Sequence, residues 1–284
     1  MQERKLGKDG PLVSVVGLGG MYMSIQGRPD EAQAIRTIHA ALDAGMRFID
    51  TADVYCLDHR DIGHNERLIA KALKGRGESV LVATKGGLVR PSGDWRRDGR
   101  PEHLAAACEA SLKALEVEKI ALYQLHAPDV NVPFAESVGA IARLREAGKV
   151  QRVGLSNVSV AQIEEALRIV PITSVQNRWN PQDRSPEKNG VLAACEKHGI
   201  AFLPYSPFGG ASGARSLGSM KALAALAEKQ GMSSHRLVLA WMIAKSPVVI
   251  PIPGARREES VRDSAAAGDV SLSNSDVAAI EATF

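Results

Sequence analysis

Short apolar runs rich in Val, Ile and Leu alternate with longer amphipathic runs from near residue 15 almost to the end of the chain. The short runs predict β-strands at Val15–Gly19, Arg47–Asp50, Val80–Thr84, Ile120–His126, Arg152–Leu155, Thr173–Gln176, Ala201–Pro204 and Val248–Ile250. The longer runs carry the 3.6-residue period of helices at Glu31–Ala44, Asn65–Leu73, Glu102–Leu115, Pro133–Ala147, Val160–Ile169, Pro186–His198, Ser219–Lys229 and Ser234–Ala244. Pro101 and Pro186 suit first helical turns, and Gly45, Gly148 and Gly199 sit where helices stop. Two further helical patterns, Glu258–Ala267 and Ser275–Thr283, follow the eighth strand, the second with Ser275 as its expected cap. Ahead of the first strand, the Asp9-Gly10 pair between apolar ends predicts a hairpin that plugs the bottom of the fold.

Eight strands joined by helical crossovers, with no linker or shift in composition between them, predict an α/β fold of one domain spanning residues 1–284, a (β/α)₈ TIM barrel with an N-terminal β-hairpin and C-terminal helices. A doubly wound sheet has the same alternation. Its dinucleotide-binding form carries a GxGxxG turn after the first strand, and the nearest stretch here, Gly17-Leu-Gly-Gly-Met, lacks that spacing.

Composition narrows the class. The 284 residues are 45% hydrophobic and 24% charged, which excludes disordered and collagenous chains. With only 5 Phe, 4 Tyr and 3 Trp, the core must be built from small aliphatic side chains. A net charge of +3 is too small for a dominant polyanion-binding role, so no nucleic-acid partner is expected. Cys56, Cys108 and Cys195 are odd in number and widely spaced, which suits a reducing cytosol and predicts neither disulfides nor a zinc module. With no apolar run long enough for a membrane span or a signal peptide, the expectation is a cytoplasmic protein with no obligate protein partner.

Barrel chemistry is carried at the C-terminal ends of strands. Six successive predicted strands end there in polar groups: Asp50, Lys85, His126, Ser156-Asn157, Gln176-Asn177 and Tyr205-Ser206. Together with Tyr55 they make a chemically coherent set. A tyrosine hydroxyl is a weak acid near neutral pH unless a cation stabilises its phenolate, and Lys85 can supply that cation. A buried Lys needs an anion, for which Asp50 is the natural partner. A neutral His126 can then hold a substrate oxygen while that oxygen is protonated.

At these residues the chain resembles the aldo-keto reductase superfamily, in its bacterial style, over nearly its whole length. The stretches that carry the likeness are DTADVY (50–55), ATKGG (83–87), YQLHAPD (123–129), VGLSN (153–157), VQNRWNP (175–181), PYSPFGG (204–210) and IPIPGA (250–255). The resemblance implies a barrel that binds NADPH in extended form, with NADH as the alternative, and reduces a small-molecule aldehyde or ketone. It implies a catalytic tetrad of Asp50, Tyr55, Lys85 and His126 with Tyr55 as general acid. It puts Ser156, Asn157 and Gln176 on the nicotinamide carboxamide and Tyr205 against the ring. Ser206, Pro207 and Gly209 fall over the pyrophosphate, and Gly254, Ala255, Arg256 and Arg257 around the adenosine ribose. Ser260 and Ser264 stand at the adenosine end where relatives often carry Arg and Asn, so 2′-phosphate recognition passes to Arg256 or Arg257. An accessory or sensor protein like the potassium-channel β subunits of the same superfamily is the rival function.

Other features carry weaker expectations. Asp58, His59, Asp61 and His64 lie on an irregular loop, and no metal is expected there. Cys56 next to Tyr55 is a redox-sensitive thiol only if Lys85 lowers its pKa. Met21, Tyr22 and Trp95 are candidate substrate-pocket walls. The long loop Gly86–Arg100 resembles a substrate lid, and its arginines Arg90, Arg96, Arg97 and Arg100 could attract an anionic substrate. The Gly-rich stretch Gly209–Gly218 is expected to be a mobile cover for the cofactor.

Overall fold

The alternation read from the sequence becomes a parallel sheet with its crossover helices on one side, in a computed structural model that describes every residue except Ala211. Seven strands lie in the order β11-β10-β9-β8-β5-β4-β3, all paired in parallel. They are β3 (Leu18–Gly19), β4 (Phe48–Asp50), β5 (Leu81–Gly86), β8 (Leu122–Leu125), β9 (Val153–Ser156), β10 (Ile172–Gln176) and β11 (Ala201–Phe202). An antiparallel pair, β1 (Glu3–Lys5) and β2 (Leu12–Ser14), precedes them. A second such pair, β6 (Leu88–Val89) and β7 (Arg96–Arg97), organises the loop after β5.

The eighth predicted strand, Val248–Ile250, is not a regular strand. Pro247, Pro251 and Pro253 carry no N–H, so no continuous ladder can form. The segment is nonetheless held on both sides. Phe202 and Val249 form a parallel bridge, Ile250 N–H donates to Phe202 O, and Gly17 and Gly19 N–H donate to Pro251 and Pro253 carbonyls at 2.9 Å.

Strand parity sorts the core into two clusters. Phe48, Ala83, Leu122, Ala201, Leu203, Ile250 and Ile252 point to the inner face, where Leu6 and Val13 of the N-terminal pair join them. At the alternate strand positions Ile49, Tyr123, Leu125, Val153, Leu155, Val175 and Phe202 belong to the outer cluster shared with the helices. The inner face is crowded: a Cβ at Gly17 would come within 2.6 Å of the Phe48 ring.

The helices are α1 (Glu31–Asp43), α2 (His64–Leu73), α3 (Pro101–Ala114), α4 (Phe134–Glu146), α5 (Val160–Leu167), α6 (Ser185–Lys188), α7 (Val191–His198), α8 (Gly210–Leu217), α9 (Lys221–Lys229), α10 (Ser234–Lys245), α11 (Glu258–Ala266) and α12 (Asn274–Glu281). Gly45, Gly148 and Gly199 all take left-handed φ just past a helix. Two elements differ from those expected. Pro186–His198 divides into α6 and α7 because Gly190, at φ 84°, turns the chain between them. The cap of α12 is Ser273, which closes a reciprocal capping box with Asp276, two residues before Ser275. The Gly209–Gly218 stretch, expected as a cofactor cover, contains α8, entered through left-handed Gly209. No helix among the described residues is long and apolar enough to cross a membrane.

Candidate active site

The inner-face parity continues upward past the apolar layer. Two residues beyond Phe48 comes Asp50, two beyond Ala83 comes Lys85, and Gln124 and His126 follow Leu122. Ser156 and Gln176 share this face, so the C-terminal mouth of the sheet is polar over an apolar floor. The strand period of two thus places the chemistry before any loop is considered.

Lys85 is fully buried and its ammonium donates three hydrogen bonds: to Asp50 Oδ2 at 2.7 Å, to the Thr51 carbonyl at 2.9 Å and to Tyr55 Oη at 3.0 Å. Three donors meet three acceptors, which is how a buried ammonium stays charged. Burial works against that charge, but the Asp50 and Tyr55 oxygens outweigh it and hold the Lys85 pKa above its ordinary value. The second Asp50 oxygen accepts from Gln176 Nε2 at 2.8 Å and Gln124 Nε2 at 3.2 Å.

Because Lys85 donates to Tyr55 Oη, the tyrosine's own proton must point elsewhere. No protein acceptor for it occurs among the described residues, and Tyr55 faces the cavity. Burial raises the Tyr55 pKa, and the nearby Lys85 only partly offsets this. Lys85 acts on Tyr55 in the expected direction, by less than burial acts against it. The hydroxyl is thus held in its protonated form, with the ammonium 3.0 Å from its oxygen.

His126 stands edge-on to Tyr55, ring centroids 5.8 Å apart. Burial, aided by repulsion from Lys85, drives its pKa well below the usual imidazole range, so the ring is neutral. Its Nδ1 is buried without a partner. A buried N–H without an acceptor is rarer and costlier than an idle lone pair, which places the single proton on Nε2, the nitrogen left to serve as a donor. The linkage follows in sign: the folded pKa lies below the unfolded one, so the unfolded chain binds more protons and stability falls as pH drops through about 6.5. Between about pH 7 and about pH 5 the wild type should lose more urea-unfolding stability than His126→Gln, the difference being this residue's share.

Fourteen of the residues singled out in the sequence line one cavity of about 390 Å³. Asp50, Tyr55 and His126 lie there with Ser156, Asn157, Gln176, Tyr205, Ser206, Pro207, Gly254 and Arg256. Met21, Tyr22 and Trp95 form walls, and Lys85 stands behind Tyr55. Gly209 lies just outside as the N-cap of α8, beside Gly210, which does line the cavity. Ala255, Arg257, Ser260 and Ser264 do not reach it. Arg257 is exposed at the N-cap of α11, Ser260 is exposed and Ser264 is buried on that helix.

The residues expected on the cofactor side are individually well defined. With Gln176 Nε2 held by Asp50, its Oε1 is left for a donor. Asn157, at φ 59°, donates from Nδ2 to the His126 carbonyl and accepts from Tyr205 Oη at 2.8 Å, which fixes the plane of the Tyr205 ring. Helix α8 begins without a side-chain cap hydrogen bond and without an acidic residue in its first turn. Arg256 lies over the Tyr22 ring, its guanidinium 5.3 Å from the centroid.

Some features did not follow from the sequence. Gln124 accepts from Ser174 Oγ at 3.2 Å while donating to Asp50, forming a buried polar layer beneath the site. Gly154 makes room for it, since a Cβ there would come within 2.3 Å of Ser174 Oγ and 2.8 Å of Gln124 Cγ. The signal was present as a polar residue at inner-face parity in the middle of an apolar strand. Gln124→Leu should cost about 1–3 kcal/mol in denaturant unfolding by stranding the Ser174 hydroxyl and removing a donor from Asp50.

The loop arginines do not face the cavity. Arg90 is buried beneath Trp95, Arg96 pairs with Asp94, and Arg100 pairs with Asp98 and Glu102. The loop expected as a lid is a folded β6–β7 arm, with Arg97 exposed on β7. Cys56 donates to Val54 O, and burial pushes its thiol up to about 11, the opposite of an activated thiolate. Asp58 is occupied by Arg60, Asp61 by Arg28 and His64 by Ser24.

Relatives place this arrangement in an enzyme of the oxidoreductase class. Residues 15–283 match the model of the aldo/keto reductase family. The chain is 34% identical over 307 residues to a probable aldo-keto reductase of Glycine max, covering 98% of this chain and 87% of that one. Among solved structures, a thermostable aldo-keto reductase in complex with the inhibitor epalrestat is similar with a TM-score of 0.85 and 30% identity, covering 100% of both chains. An aldo-keto reductase of Klebsiella pneumoniae in complex with NADPH is similar with a TM-score of 0.84 and 26% identity, covering 99% of this chain and 95% of that one. The chain belongs to the aldo/keto reductase family.

Proposed function

We propose that this protein reduces aldehydes and ketones to alcohols with NADPH, in one domain whose sheet closes as a (β/α)₈ barrel through the Val248–Pro253 segment. The observation that carries the reading is the Tyr55 hydroxyl, whose oxygen accepts from Lys85 and whose proton is left for the cavity. The residues fit the cofactor. Gln176 Oε1 and Ser156 suit a carboxamide, the anchored Tyr205 ring suits a nicotinamide face, and the uncapped start of α8 suits a pyrophosphate. Arg256 suits a 2′-phosphate, and the NADPH complex of the Klebsiella relative supports the choice.

Reduced nicotinamide supplies the two electrons and the hydrogen that the carbonyl carbon gains. Tyr55 gives the carbonyl oxygen its proton, and His126 Nε2–H holds that oxygen in line. The Tyr55 phenolate left behind lies 3.0 Å from the Lys85 ammonium, which stabilises it until solvent returns a proton. Asp50 keeps Lys85 charged throughout. Oxidation of NADPH and NADH measured against a panel of aromatic aldehydes, methylglyoxal, pyridoxal and sugars tests the proposal. No turnover of either cofactor with any carbonyl would overturn it.

A further inference from the structure

We propose that Arg90 is a specificity-determining residue of the substrate pocket, one that never touches substrate but fastens the Trp95 indole as a flat wall and so suits the pocket to uncharged aromatic carbonyls. The inference rests on the reductase reading for its substrate arm and on geometry alone for the clamp.

Arg90 is 1% exposed, with no carboxylate in ion-pair distance among the described residues. Its Nη2 donates to Gln26 Oε1 at 3.2 Å, Cys56 O at 3.1 Å and Leu57 O at 3.2 Å, and its Nε has no partner. A buried charge satisfied only by neutral oxygens is a poor way to gain stability; an apolar side chain of the same size would fill the space at less cost. The arrangement does something an apolar residue could not. It joins the loops after β3, β4 and β5, and its guanidinium lies 3.9 Å from the centroid of the Trp95 ring. A planar cation stacked on an indole fixes the plane of that ring as well as its place.

Trp95 needs fixing. It is 45% exposed on the short β6–β7 arm, with little packing of its own. Held by Arg90, it stands edge-on to Tyr55 at 6.3 Å and to His126 at 6.5 Å, so three rings surround the point where the Tyr55 hydroxyl and His126 face the cavity. Leu88, Met21 and Ile252 complete an apolar surround, and no arginine of the arm enters it. A flat neutral ring gains contact area against Trp95. A carboxylate there finds no arginine of the arm, Arg256 of the same cavity being the residue proposed for the cofactor's 2′-phosphate, and a two- or three-carbon aldehyde does not reach the indole.

The test uses Arg90→Met, Arg90→Lys, Trp95→Ala and the Arg90→Met/Trp95→Ala double variant. Trp179 and Trp241 are fully buried, so acrylamide quenching of tryptophan fluorescence reads Trp95 without reference to activity. Arg90→Met should raise quenching, and Arg90→Lys should do so less. In kinetics, Arg90→Met should raise KM for 4-nitrobenzaldehyde about tenfold with kcat within about twofold. The KM shift for methylglyoxal should be several-fold smaller. Trp95→Ala should match it, and the double variant should be no worse than Trp95→Ala, since Arg90 acts through that ring. Wild type should also prefer 4-nitrobenzaldehyde to 4-carboxybenzaldehyde. Unchanged quenching in Arg90→Met, additive effects in the double variant, or an equal KM change for every aldehyde would each overturn the proposal. If Arg90→Met does not fold, Arg90→Lys decides by quenching and kinetics and Trp95→Ala by kinetics. Absence of turnover in wild type would instead count against the reductase reading, while quenching still judges the clamp.

Discussion

Tyr55→Phe should lower kcat for aldehyde reduction by about 10²- to 10⁴-fold, the range set by loss of a positioned general acid. The variant keeps the ring and its contacts with Trp95 and His126, so the pocket keeps its shape. Only the hydroxyl is lost, and with it the proton that has no other use in the protein. NADPH binding, followed by quenching of protein fluorescence, should stay within about twofold, because the residues suited to the cofactor do not bond to Tyr55 Oη. Lys85 loses one of three acceptors, which should cost about 1–3 kcal/mol of folding stability. Turnover close to that of wild type would remove Tyr55 from the mechanism, whereas equal loss of cofactor binding would make it structural.

The second large effect concerns stability. Asp50→Leu should destabilise the fold by about 3–5 kcal/mol in urea unfolding, because it strands a buried ammonium. It also strands the Gln124 and Gln176 amides that bond to the same carboxylate. Lys85→Met should cost less, since Asp50 retains both of those donors. The double variant Asp50→Leu/Lys85→Met should be more stable than Asp50→Leu alone, a non-additivity expected only if the two charges compensate each other. A double variant no better than Asp50→Leu would show that the cost lies in packing rather than in the pair. Turnover should fall in all three.

The order of strands and the identity of the polar residues that crown them were legible because both follow from local rules. Strand period two put Asp50, Lys85, His126, Ser156 and Gln176 on one face, and helix stops marked the connections. The eighth strand was read from its Val-Val-Ile core, but three prolines govern how it bonds, and a run of apolar residues does not display missing N–H groups. The place of Arg90 was not legible for a different reason. In sequence it is one of four arginines in a polar loop; only the fold brings Gln26, Cys56 and Leu57 around it and lays it under Trp95. The pairing of Tyr205 with Asn157, 48 residues apart, was equally invisible, because it depends on two left-handed turns, at Asn157 and Ser206, that most side chains disfavour.

The alternation of inner and outer residues has a consequence for how the chain finds its fold. A strand paired one residue out of register would carry its inner set to the helix side. For most strands of a parallel sheet that exchange trades one aliphatic residue for another and is weakly punished. Here it would press Asp50, Lys85, Gln124 or Gln176 against the aliphatic side chains of the helices and leave Ile49, Tyr123 or Val175 facing the polar mouth. The residues proposed to reduce a carbonyl thus also serve as alignment marks during folding, and a chain stripped of them would lose its chemistry and some of its certainty about which way each strand should face.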